Sequence, residues 1–126
     1  MNNQELVFLS ANDLSNKIKA REISPVEAVN AYLERINTVD EKLNAYITVM
    51  ADEALSEAII AEKEIASGTN NGPLHGVPVG IKDQIYTKGI RTSSASKIRS
   101  DFVPDYDATV VTGLKKSGAI ILGKLN

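Results

Sequence analysis

The chain has 126 residues, enough for one domain or part of one, and its 43% hydrophobic and 24% charged content excludes a disordered tail, a collagen-like repeat and a coiled coil. With no cysteine and a single histidine, His75, it cannot build disulfide staples, thiolate metal sites, iron–sulfur clusters, a cysteine nucleophile or a multi-histidine metal site. A net charge of −2, 5% aromatic content and no tryptophan give no case for binding nucleic acid.

The start, Met1-Asn2-Asn3-Gln4-Glu5, lacks a basic leader, and no apolar run approaches the ~20 residues needed to span a bilayer. The expectation is a cytoplasmic protein with no membrane partner. Residues 10–67 read as a helical entry. Ser10 precedes Ala11-Asn12-Asp13-Leu14, so its hydroxyl can cap free amides while Asp13 meets the positive first turn. Ser24-Pro25-Val26-Glu27 is a capping box with proline at the first helical position. Val26, Val29, Leu33 and Ile36 then form one apolar stripe. Leu43 to Met50 is rich in strand formers and reads as extended. Ala51 to Ser67 returns to helical spacing through Leu55, Ala58, Ile59, Glu62 and Ile65, and stops at Ser67-Gly68.

Gly68 to Gly76 is a loop, after which the period changes. Val77, Val79 and Ile81 share one face of a short strand, and Pro78, Gly80 and Lys82 share the other. Ile85 to Thr92 reads as a second short strand around Gly89. Asp105-Tyr106-Asp107-Ala108 leads into a helix from Thr109 that Gly118 ends. Ala119-Ile120-Ile121-Leu122 is wholly apolar, the pattern of a strand buried on both faces of a parallel sheet. With few candidate neighbours for that strand, the chain reads as an α/β layer cut off in mid-fold, its last strand short of a neighbour and its apolar surface exposed.

Lys82 is the most informative chemical residue. It ends an apolar strand beside Gly80, where another group can approach closely, and a desolvated lysine there can serve as a general base. The bland alternative is a surface lysine paired with Asp83. Ser94-Ala95-Ser96-Lys97 fits a Ser-x-x-Lys pattern, but the companion motifs of that chemistry are missing. A polar loop whose hydroxyls bond backbone is the simpler reading. Gly118 to Lys124 mimics a phosphate-binding loop, yet Leu125 stands where a magnesium-binding hydroxyl belongs and the intervening residues are a strand. His75 reads as a turn residue bonded locally, and Lys115-Lys116 as the basic end of a helix.

Gly72-Pro73-Leu74-His75-Gly76-Val77-Pro78-Val79-Gly80-Ile81-Lys82-Asp83 closely resembles the lysine segment of the amidase signature family. Thr87 to Thr92, Asp107 to Val111 and Gly118 to Asn126 match that family's next blocks in order, and Ser24 to Glu27, Tyr32 to Ile36 and Leu43 to Ala45 resemble its N-terminal region. Phe102 to Val111 is most similar to the branch formed by A subunits of tRNA-dependent amidotransferases. The resemblance implies an α/β/α sandwich around a mixed sheet, of which residues 1–126 would be one truncated portion: the helical entry over 10–67, then the lysine strand and α/β start over 72–126. It implies Ser–cis-Ser–Lys amide hydrolysis with Lys82 as the catalytic lysine, no cofactor and no metal. The substrate would be a small amide, glutamine in the amidotransferase branch, where partner subunits are implied. The family's two serines and its oxyanion glycines lie beyond Asn126, and Ser93, Ser94 and Ser96 are not their equivalents. These 126 residues alone are therefore expected to be inactive. The rival expectation is a noncatalytic binding or assembly module that kept an amidase-like start.

Overall fold

Side chains write most of the helix starts. In the computed structural model, which describes residues 1–126, Asn2 and Glu5 form a capping box on α1 (Asn3–Leu6). The Ser10 hydroxyl accepts the Asp13 amide at the start of α2 (Ala11–Lys19). Ser24 and Glu27 cap α3 (Pro25–Leu43) reciprocally, with Pro25 in the first turn. That helix runs to Leu43, farther than its apolar stripe suggested, and Asn44 ends it at φ 52°. The Asp40 carboxylate then accepts the amides of Ala45 and Tyr46, turning the chain into β1 (Tyr46–Val49).

α4 (Ala51–Ala66) has no side-chain cap. Tertiary structure starts it instead: the Met50 amide donates to Leu122 O across the sheet, while Met50 O accepts from Ala54. β2 (Pro78–Lys82), α5 (Thr109–Lys116) and β3 (Ile120–Leu125) complete the chain. The sheet order is β1-β3-β2, with β1 antiparallel and β2 parallel to β3. Small alanines let α3 and α4 approach one sheet face, where Val29, Leu33, Ala54, Ala58 and Ala61 pack on Ile120 and Leu122. The other face buries Ile81 and Ile121 against Val111 of α5 and Met50. Val77, just before β2, joins a third cluster with Leu6, Leu14, Ile18 and Ile23.

Two expectations are corrected. Ile85 to Thr92 forms turns rather than a strand, because its backbone bonds go to turns, side chains and the loop that follows instead of a strand ladder. The Ile90 amide donates to Thr87 O, and the hydroxyls of Thr87 and Thr92 donate to Ile85 O and Ile90 O. The apolar strand is also longer than expected and does not lack neighbours. β3 is central, flanked on both edges and buried from Ile120 through Lys124.

The register decides what β3 presents. Pairing with β2 slips between Val79 and Gly80, which oppose Ile121 and Gly123, so Leu122 is the extra residue of a bulge. Beyond it, Lys124 pairs with Ile81. Cross-strand partners share a face, so Lys124 points to the α5 side rather than following Ile120 and Leu122. Gly123 is needed where β1 crosses close by, since a Cβ there would stand 2.1 Å from Thr48 O.

Candidate functional site

β2 and β3 run parallel and end together, at Lys82 and Leu125. The carboxyl ends of parallel strands are where open α/β sheets place their chemistry. Lys82 closes β2 with its side chain exposed, on the face it shares with Leu125 and Gly80. The group that approaches Gly80 is the Leu125 side chain, whose Cδ1 would lie 2.8 Å from a Cβ at residue 80. Nothing in this chain desolvates Lys82, contrary to the expectation for it, and it does not pair with Asp83.

Asp83 turns the other way, to 1% exposure. Its amide donates to Leu125 O (2.8 Å) and its carbonyl accepts from the Ser94 amide (3.0 Å). Oδ2 accepts from the Ser93 amide at 3.0 Å and from the Ser93 hydroxyl. Oδ1 is buried without a hydrogen bond and lies 3.9 Å from the Lys124 ammonium.

Lys124 is the desolvated lysine of this chain, with 0% exposure. Its Nζ donates to Ile85 O (3.0 Å) and Thr92 Oγ1 (2.8 Å). Burial pulls its pKa below the ordinary lysine range, and the Asp83 charge offsets part of that pull. Sequence reading met Lys124 as the tail of a false phosphate loop and within the family-like block Gly118 to Asn126, with no role assigned to it. No signal within its own strand gave its burial, because the face it takes is set by the register slip against β2.

The Ser94–Lys97 pattern does not open a helix. Ser94 and Ala95 sit at φ 53°, and Ser93, the serine that is buried, is committed to Asp83. His75 is a turn residue bonded locally, as expected, and it is also buried. Its Nδ1 accepts the Asn71 amide (3.2 Å) and its Nε2 lies 2.7 Å from Glu64 Oε2, a pattern that assigns the proton to Nε2. Gly118 packs on its ring so closely that a Cβ there would lie 2.5 Å from Cδ2. A cleft of about 420 Å³ lies beside it, lined by Glu53, Glu57, Glu64, Lys88 and Lys115 among others. This cleft reaches the start of β3, at Ala119 to Ile121, away from Lys82.

The loop between β2 and α5 is braced at two further points. Arg99 stacks over Phe102 at 4.4 Å and donates to the Tyr86 hydroxyl at 2.7 Å. Asp107 accepts from the Lys88 amide (2.7 Å) and from Lys115 Nζ (2.9 Å). Partial burial pushes the Asp107 pKa up, but these bonds and the two lysine charges outweigh it and leave the carboxyl below its usual range. Lys115 is thus an ion-pair partner as well as the basic end of α5. No helix is long and apolar enough to cross a membrane.

The family model described as Amidase matches residues 27–126. Over 122 residues the chain is 52% identical to the glutamyl-tRNA(Gln) amidotransferase A subunit of Geobacter metallireducens, covering 97% of this chain and 25% of that protein. It is 49% identical over the same length to the corresponding A subunit of Carboxydothermus hydrogenoformans. Among solved structures, the native peptide amidase of Stenotrophomonas maltophilia matches with TM-score 0.87 at 37% identity, over 94% of this chain and 25% of that one. A fatty acid amide hydrolase matches with TM-score 0.92 at 27% identity, over 98% and 22%. The chain therefore spans about a quarter of the length of the relatives it matches.

Proposed function

The chain belongs to the amidase signature family, and from that premise we propose that it is the N-terminal portion of an amide-hydrolysing enzyme in which Lys82 is the catalytic base. The observation that carries this reading is the position of Lys82 at the carboxyl end of β2, within a chain similar to amidotransferase A subunits over 97% of its length. In the mechanism that the family resemblance implies, a neutral lysine draws a proton through a bridging serine. A second serine, so activated, attacks the amide carbonyl, and oxyanion donors hold the developing charge. A lysine acts as a base only where covering protein favours its neutral form. The exposed side chain of Lys82 is a base awaiting that cover.

The similarity to A subunits extends the reading. The amide would be glutamine, its ammonia passed to a tRNA-linked acceptor held by partner subunits, in the cytoplasm. No cofactor enters this chemistry.

Two measurements test the reading. The intact mass of the native protein captured from its source cells is expected to be several times that of 126 residues. The purified 126-residue chain is expected to hydrolyse no amide. Hydrolysis that disappears in Lys82→Ala would overturn the second expectation. A native mass of 126 residues would overturn the first and favour a noncatalytic binding or assembly module. One observation speaks for that alternative: β3 is covered on both edges and both faces within this chain alone.

A further inference from the structure

The proposed reaction makes no use of Asp83 or Lys124, yet both are buried charges at the strand ends beside Lys82. We propose that they form a positioning pair that fixes the backbone from which Lys82 projects, and so sets where the Lys82 amine stands. The inference rests on reading Lys82 as the base.

Asp83 follows Lys82 directly and is tied on four sides: to Leu125 through its amide, to Ser94 through its carbonyl, and to the amide and hydroxyl of Ser93 through Oδ2. Lys124 reaches the same loop from the neighbouring strand and holds Ile85 O and Thr92 Oγ1. Together the two residues grip both ends of the segment that leaves β2 immediately after Lys82. At the end of that segment Ser94, whose amide donates to Asp83 O, and the next residue, Ala95, stand at positive φ, a conformation that side chains disfavour and that persists only where its surroundings over-determine it.

Stability alone does not explain the choice of charges. A buried ion pair gains little over well-packed apolar residues, because desolvation offsets the attraction. What such a pair does supply is a single geometry, since either charge without the other is strongly disfavoured. Lys82 and Asp83 lie one Cα step apart, about 3.8 Å, so a displaced Asp83 carries Lys82 with it. Misplacing a catalytic group by about 1 Å can cost about 100-fold in rate.

The test compares the native protein, at the length its source cells make it, with Asp83→Asn, Lys124→Met, the double variant and the milder Thr92→Val. Two readouts are taken: steady-state hydrolysis of glutamine and of a simple aliphatic amide, and amide hydrogen exchange. Each charge variant is expected to lose about 10- to 100-fold in kcat with KM changed less than about 2-fold. The double variant is expected to be no worse than the poorer single variant, because the two residues act as one unit. Thr92→Val, which keeps both charges, is expected to lose less. Exchange at Lys82 and Ser94 is expected to accelerate about 10-fold or more in Asp83→Asn, while Leu14 and Val29 stay protected. Unchanged exchange overturns the proposal whatever the activity. Accelerated exchange with unchanged kcat also overturns it, leaving a structural pair only. A wild-type protein without hydrolysis counts against Lys82 as the base, and the exchange pattern then decides the clamp by itself.

Discussion

The helical entry and the carboxyl end of the sheet hold their polar groups in opposite ways. In α1, α2 and α3 the caps reach three residues along the chain, Asn2 to Glu5, Ser10 to Asp13 and Ser24 to Glu27. All three caps are solvent-exposed. At the sheet end, Asp83 reaches Ser93 across 10 residues, and Lys124 reaches Thr92 across 32 and Ile85 across 39. Those bonds are buried or partly so. Local caps lower the cost of starting each helix and fail one at a time. The long-range cluster forms only once β2 and β3 are paired, and its members depend on one another.

The strongest way to break this contrast is Lys124→Met. It leaves the Asp83 carboxylate buried without a counter-charge, so a loss of about 3–5 kcal/mol is expected in a denaturant titration. The double variant with Asp83→Asn should lose less than Lys124→Met alone. Additive losses would mean the two residues are not a unit. Next is Gly123→Ala, where the added methyl meets backbone at Thr48 O. A loss of about 3 kcal/mol is expected, read as a lower midpoint with amide exchange opening first in β1. In the helical entry, Ser24→Ala should cost only about 1 kcal/mol, with exchange rising in the first turn of α3 alone. A loss as large as that of Lys124→Met would erase the contrast.

The smallest effect lies at the rim and depends on pH. The folded-state pKa of Asp107 is lowered, so its ionised form favours the folded chain. That contribution is complete above its unfolded pKa of about 3.9 and fades as pH falls through the lower folded value. Lys115 is 47% exposed in this pair, so the stabilisation should stay below about 1 kcal/mol and shrink with salt. The stability difference between the wild type and Asp107→Asn, followed from pH 7 to pH 2, is expected to hold flat and then vanish. A difference that grows toward low pH would reverse the assignment.

Most of the helical entry was legible because its signals are local. Serine caps, a proline in the first turn and a stripe of valine and leucine act within one or two turns, before any tertiary contact exists. Lys82 at the end of a strand was legible for the same reason, from alternation over six residues. The start of α4 was legible in the spacing from Ala51, but the bond that anchors it was not, since the amide of its N-cap residue, Met50, donates to Leu122 O on another strand. The burial of His75 was not either. Glu64 and Gly118, which enclose it, stand 11 residues before it and 43 after it in the chain.

The amino-acid order alone determined where helices begin, which strand is apolar on both faces, and that a lysine ends β2 beside an aspartate. The tertiary structure decided which lysine is desolvated. Strict alternation puts Lys124 on the face of Ile120 and Leu122, whereas one extra residue opposite β2 turns it toward Ile81, Asp83 and Thr92. A bulge is a property of two paired strands. Burial of a charge follows from what that pairing places around it, so neither can be read from one strand by itself.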